Sequence, residues 1–210
     1  MKNKVGRYFN SNRLLLVIFI FVLVWSGIHP KDGFTWALEV MPAIIGVIVL
    51  IVTYKKYKFT NLVYFLILVH SVILMIGGHY TYAEVPFFDW IRDCFHQSRN
   101  NYDKIGHLAQ GFIPAMITRE IFIRAKVVKS KKWMNFIIVT ICMAISVTYE
   151  LIEWFVAIFS GEEGDAFLGT QGYIWDTQSD MLYATIGAIL ALLTLSKMHD
   201  KVLQKIGLVE

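Results

Sequence analysis

A chain of 210 residues is long enough for one domain, yet 56% of it is hydrophobic and only 17% charged, against about 25% charged in an ordinary soluble protein. A core of this size cannot hide so much apolar surface, and the 15 Phe, 10 Tyr and 6 Trp form an aromatic load that a lipid interface can use. The composition excludes a free cytosolic globule, and the net charge of +4 needs no nucleic acid, because the basic residues flank apolar runs and meet anionic lipid.

A hydrocarbon layer about 30 Å thick asks for roughly 20 apolar residues per helix. Six stretches approach that: Leu14–Ile28, Trp36–Tyr54, Asn61–Gly78, Ile105–Ile123, Trp133–Phe159 and Trp175–Leu195. The first is short and follows Lys2, Lys4, Arg7 and Arg13, as a secretory signal peptide would. Its exit, Val24-Trp25-Ser26-Gly27, has no small-x-small cleavage site, so it is read as an uncleaved anchor. Between the third and fourth stretches, the segment from His79 to Tyr102 is the one sizeable piece outside the membrane. Within it Phe87, Trp90, Ile91 and Cys94 recur at helical spacing, which predicts a short helix lying on the membrane surface; an ordered loop with aromatic plugs is the alternative.

Cytoplasmic loops carry the excess of Lys and Arg. With the N-terminus inside, sixteen basic residues fall on the inner side and only Lys31, Arg92, Arg99 and Lys104 on the outer. Trp25, Trp36, Trp90 and Trp175 then lie near the outer interface and Trp133 near the inner one. Cys94 and Cys142 are separated by this frame and have no C-x-x-C partner. No repeat or low-complexity run interrupts residues 1–210, which read as one integral membrane domain: an all-α, polytopic bundle of six helices with both termini cytoplasmic.

The acidic residues are distributed oppositely. Only Glu120, Asp200 and Glu210 fall inside, and the other thirteen lie in outer loops or outer halves of helices, where a carboxylate at the centre of a span costs about 2.5–3.5 kcal/mol. Asp103, His107, Gln110 and Pro114 share one face of the fourth span, and Pro114 leaves the Gln110 carbonyl without its usual helical donor. Ser146, Glu150, Glu153 and Ala157 make a stripe on the fifth, and Asp176, Asp180, Tyr183 and Gly187 another on the sixth. At ~1.5 Å per residue, Asp103 and Asp176 are at the mouth of a funnel. His107, Asp180 and Glu153 come next, and Glu150, with His70 of the third span, is deepest. Glu150, Glu153, His107, Asp180, Asp103 and Asp176 are the candidate catalytic residues. Structural readings stand beside this one: Asp103 with His107 as a helix-end pair, Glu150 with His70 as a packing pair, and Asp176 as an N-cap.

Several chemistries lack their residues. There is no H-E-x-x-H and no G-x-S-x-G. The acidic, glycine-rich stretch Gly161–Gly172 lacks the Lys and Ser/Thr of a phosphate loop and reads as a solvated turn, with a hard cation as the alternative.

The segments Gly77-Gly78-His79-Tyr80-Thr81-Tyr82, Tyr102-Asp103-Lys104-Ile105-Gly106-His107-Leu108-Ala109-Gln110-Gly111-Phe112, Tyr149-Glu150-Leu151-Ile152-Glu153-Trp154, Gly169-Thr170-Gln171-Gly172 and Trp175-Asp176-Thr177-Gln178-Ser179-Asp180-Met181 closely resemble the YjdF-type bacterial inner-membrane proteins. The resemblance covers nearly the whole chain and implies an inner-membrane location. That family is a domain of unknown function and so implies no activity. A weaker likeness, in Asp103-Lys104-x-x-His107, Glu150-x-x-Glu153 and Asp180 followed by Gly187, is to VanZ-like membrane proteins; Glu153 and Ala184 stand where that pattern has Gln and Asn.

The expected function is action on, or carriage of, an extracytoplasmic envelope or lipid-linked substrate, with Glu150 or Glu153 as general base and His107 as its proton partner. Proton- or cation-coupled transport through His70 and Glu150 is the second reading, and a non-catalytic helper of another membrane protein the third. Apart from Thr118 and Glu120 the inner halves of the spans show no polar stripe, which favours a one-sided site. A divalent cation among the clustered carboxylates is a further expectation, without a firm ligand motif behind it.

Overall fold

The computed structural model describes residues 2–160, 167 and 170–208, with the side chains of 2–11 left aside. Of the Gly161–Gly172 stretch, residues 161–166, 168 and 169 lie outside the described set. Seven helices run through the described residues, which contain no strand: α1 (Lys2–Ser26), α2 (Gly33–Thr53), α3 (Asn61–His79), α4 (Pro86–Cys94), α5 (Tyr102–Arg124), α6 (Lys131–Ser160) and α7 (Asp176–Lys205). By length and composition α2, α3, α6 and α7 are able to cross a membrane, whereas the apolar part of α1 is the shorter Asn12–Ser26. Large side chains such as Phe21, Val52, Phe136, Phe159 and Leu193 point outward from these helices, as lipid-facing surfaces require.

The predicted bounds hold within a few residues for α2, α3, α5 and α6. At the ends of the chain they do not. α1 starts near residue 2 rather than 14, and α7 runs on to Lys205 rather than stopping at Leu195. Hydropathy locates where a helix leaves the hydrocarbon, while backbone hydrogen bonding continues through Lys197, His199 and Asp200 as long as one face stays packed.

Two compact units divide the chain. The first comprises Met1–Asp103 with Ala157–Gln171. Phe19, Val40, Ala43, Leu68 and Met75 form its core, with Leu23, Trp36 and Val72 packed around them. Asp32 caps α2 by accepting from the Thr35 amide at 2.6 Å, and Thr60 caps α3 through the Val63 amide at 3.3 Å. The Lys31 ammonium meets Glu84 at 2.8 Å, and that hydrogen bond, then the opposite charge, lifts the lysine above its ordinary pKa.

A short helix is present here as α4, with Phe87 stacked on Trp90 and both exposed. Behind it the loop is organised by Asn100, which is fully buried. Its Nδ2 donates to the Val85 carbonyl and to Asp89, each at 3.0 Å, and its Oδ1 accepts from the Tyr102 amide. Gln171 closes the circuit by accepting from the Asn100 amide and donating to the Asn100 carbonyl, while Arg99 donates to the Thr170 carbonyl. Every polar atom of a buried asparagine is thereby satisfied, which gives the Thr170-Gln171 motif a structural role.

The second unit comprises Lys104–Val156 with Gly172–Glu210. Here α5 and α7 pack backbone to backbone: a Cβ on Gly111 would strike the Ala184 carbonyl, and one on Gly187 the Leu108 carbonyl. Small residues permit this approach, and Ala184, Ala188 and Ala191 continue the seam with no exposure. Tyr183, expected on the buried stripe of this helix, is 38% exposed; a step of four residues from Asp180 reaches the packed face at Ala184, and a step of three does not.

At the far end of the seam lies a polar centre that contradicts the expectation of an apolar inner half. Arg119, Glu120 and His199 are all buried. Arg119 Nη1 meets His199 Nδ1 at 2.9 Å, Arg119 Nη2 donates to Asp200 at 2.6 Å, and His199 Nε2 lies 3.0 Å from Glu120 Oε2. A guanidinium only donates, so Nδ1 must accept and Nε2 must carry the proton given to Glu120. Arg124 takes the other Glu120 oxygen at 2.9 Å. Removing His199 leaves an Arg119 N–H and a Glu120 oxygen buried without that partner, which costs about 1–3 kcal/mol per group and more for charged groups. His199→Leu is therefore expected to lower the thermal unfolding temperature in detergent sharply, and an unchanged unfolding temperature would show that the relay contributes nothing.

Candidate functional site

Three helices of the second unit bring their polar faces together near the start of α5. On α6 the buried positions are Met134, Ile138, Cys142, Ser146, Glu150 and Glu153, a single stripe at three- and four-residue steps. On α7 Asp176 and Asp180 are buried one turn apart. On α5 Lys104 and His107 are buried.

Lys104 is the hub. Its Nζ donates to Asp176 Oδ1 and Asp180 Oδ1, each at 2.6 Å, and lies 5.7 Å from the centre of the Tyr173 ring. In the sequence it is one of four outer bases and the second residue of the Asp103-Lys104-x-x-His107 pattern. The requirement that clustered carboxylates have a counter-ion was the available signal, since Lys104 stands one turn before His107. Asp176 does not act as an N-cap: α7 begins on it, Trp175 holds the cap position without a side-chain bond, and the Asp176 carboxylate faces Lys104.

His107 is oriented from its own helix. Nδ1 lies 3.2 Å from Gln110 Oε1, an acceptor, so Nδ1 carries a proton and Nε2 is the nitrogen turned to the carboxylates. Nε2 is 3.8 Å from Glu150 Oε1 and 3.8 Å from Asp180 Oδ2. That is beyond hydrogen-bond length, yet within the shift by which such contacts tighten when a reactant enters. One turn before Glu150, the buried Ser146 hydroxyl has no hydrogen-bond partner among the described residues, so it is a polar group that a ligand would satisfy.

Of the six candidate residues, His107, Glu150, Asp176 and Asp180 are thus linked through Lys104 and the imidazole. Glu153 is buried on the same stripe as Glu150. Asp103 closes the first unit, half-buried in the first turn of α5, where it meets Arg99 at 3.5 Å. His70 also belongs to the first unit, on α3. A cation bound at Asp180 would share that carboxylate with the Lys104 ammonium, which bonds its Oδ1.

Comparison with known proteins agrees with the membrane reading. The family model described as a predicted membrane protein (DUF2238) matches residues 11–201. The chain is 44% identical over 200 residues to the inner membrane protein YjdF of Escherichia coli (strain K12), covering 95% of this chain and 94% of that one. No solved structure matches. The likeness to VanZ-like proteins gains no support from these matches. The chain belongs to the DUF2238 family and is a multi-pass protein of the bacterial inner membrane.

Proposed function

We propose that residues 1–210 form a single membrane domain with six spans and both termini cytoplasmic, and that its polar cluster opens to the extracytoplasmic face. There it performs acid–base chemistry on an envelope substrate, such as a lipid-linked or cell-wall precursor. Glu150 is the general base, His107 exchanges the proton, and Lys104 is the counter-ion that keeps Asp176 and Asp180 in register. Glu153 extends the acidic wall, and Asp103 lies at the rim. The observation carrying this reading is the imidazole held by Gln110 with Nε2 at 3.8 Å from both Glu150 and Asp180, because a proton-exchanging group buried between two carboxyl groups in a span is costly unless it is used.

Coupled transport is favoured by one observation, the second buried centre at Arg119, Glu120 and His199. About 18 Å of α5 separates it from His107, and Ile113, Ala115 and Met116 are buried along that stretch, an apolar interval between the two centres. A one-sided site is therefore the stronger reading.

The six-span frame is tested with reporters active only outside the cytoplasm: a C-terminal fusion should be silent and an insertion after Gly161 bright, and a bright C-terminal fusion would overturn the frame. The chemistry is tested by mass spectrometry of envelope lipids and cell-wall precursors from cells overproducing the protein. Overproduction is expected to change the profile, and Glu150→Gln and His107→Gln to abolish the change, as loss of a general base costs ~100- to 10,000-fold in rate. An unchanged profile with membrane-inserted parent protein, or a change that survives both substitutions, contradicts the assignment.

A further inference from the structure

The first unit contains a cavity of about 380 Å³ between α1, α2 and α3, within the ~300–1,000 Å³ range of ligand pockets. Its walls are apolar, with Leu15 and Phe19 from α1, Val47 and Ile51 from α2, and Ile67 and Leu68 from α3. The lining runs from Asn12 to Phe19, from Val47 to Tyr54 and from Tyr64 to Ser71, about 10 Å along each helix. The void is thus a slot parallel to the helices.

One end of the slot is polar and cationic. Asn12 Nδ2 donates to the Tyr54 hydroxyl at 3.3 Å, the Tyr54 and Tyr64 rings lie 6.4 Å apart, and Lys58 Nζ sits 4.8 Å over the Tyr54 ring. Arg13 lines the same end, and Lys55 and Lys56 follow on the connecting loop. Residues 2–31 and 40–83 include no Asp or Glu, so the helices that line the slot bring only basic charges to its mouth from these segments. The buried Asn12 Oδ1 has no hydrogen-bond partner among the described residues.

We propose that this slot holds an acyl chain of an anionic phospholipid, with the phosphate against Arg13 and Lys58 and a headgroup hydroxyl donating to Asn12 Oδ1. A soluble anion would gain the mouth but leave the apolar walls unused. A partner helix, about 10–12 Å across, is too thick to enter a space of about 380 Å³. A zwitterionic lipid would fill the walls without answering the charge, which favours an anionic lipid by roughly fivefold per basic side chain near the surface.

The test is native mass spectrometry of the full chain released from nanodiscs made of equal parts phosphatidylglycerol and phosphatidylcholine. Retention of phosphatidylglycerol in excess is expected, with the excess falling about fivefold in Arg13→Gln. Val47→Phe and Leu15→Phe keep every charge and fill the slot, so whichever remains helical by circular dichroism should lose the retained lipid. Equal retention of both lipids, displacement by millimolar inorganic phosphate, an unchanged preference in Arg13→Gln, or undiminished retention in a folded filler variant would each overturn the proposal.

Discussion

A charge placed in a low-dielectric helix bundle must find its partner within the chain, and the structure turns on how Lys104 does so. Lys104 is 7% exposed, and its ammonium donates to Asp176 and Asp180 at once, joining the start of α5 to the first two turns of α7. The same requirement accounts for the Arg119, His199, Glu120 and Asp200 relay at the far end of these helices, where Arg119 donates to His199 and Asp200 and His199 donates to Glu120. Between the two centres the seam is closed by residues too small to hold the backbones apart, Gly111, Ala184 and Gly187. Ionic ends and a small-residue middle are complementary, because close backbone approach leaves the long charged side chains room only at the ends.

Much of this was legible from periodicity. Of the stripe Ser146, Glu150, Glu153 and Ala157, the first three are buried and Ala157 is not, and α4 is a helix over the segment with helical aromatic spacing. What periodicity cannot read is partnership between distant residues. Arg119 and His199 are eighty positions apart, so Arg119 looked like a loop charge that sets topology, and His199 fell beyond the hydropathy boundary of the last span. The Asn100–Gln171 pairing is illegible for the same reason, although Gln171 belongs to the Gly169-Thr170-Gln171-Gly172 segment. Tyr183 shows a finer limit: steps of three and four residues are nearly equivalent over one turn, and only packing against α5 selects Ala184.

The candidate site and the lipid slot use the bilayer in opposite ways. At His107 and Glu150 the chain holds titratable groups where they are expensive, and it spends Lys104 and Gln110 on orienting them. In the first unit an apolar void is left between helices and basic residues gather at its mouth, an arrangement that lipid itself can complete. Costly placement in one unit and unfilled space in the other are departures from efficient packing, and such departures are where function is expected.

The account rests most directly on Lys104 as the buried counter-ion, and a charge-reversible stability comparison tests it. Lys104→Met alone leaves two carboxylates facing each other and should destabilise the protein in detergent by about 3–5 kcal/mol. The triple variant Lys104→Met, Asp176→Asn, Asp180→Asn removes the charges together and should recover most of that loss. A Lys104→Met protein as stable as its parent, or a triple variant no more stable than the single one, would contradict the pairing on which the site is built.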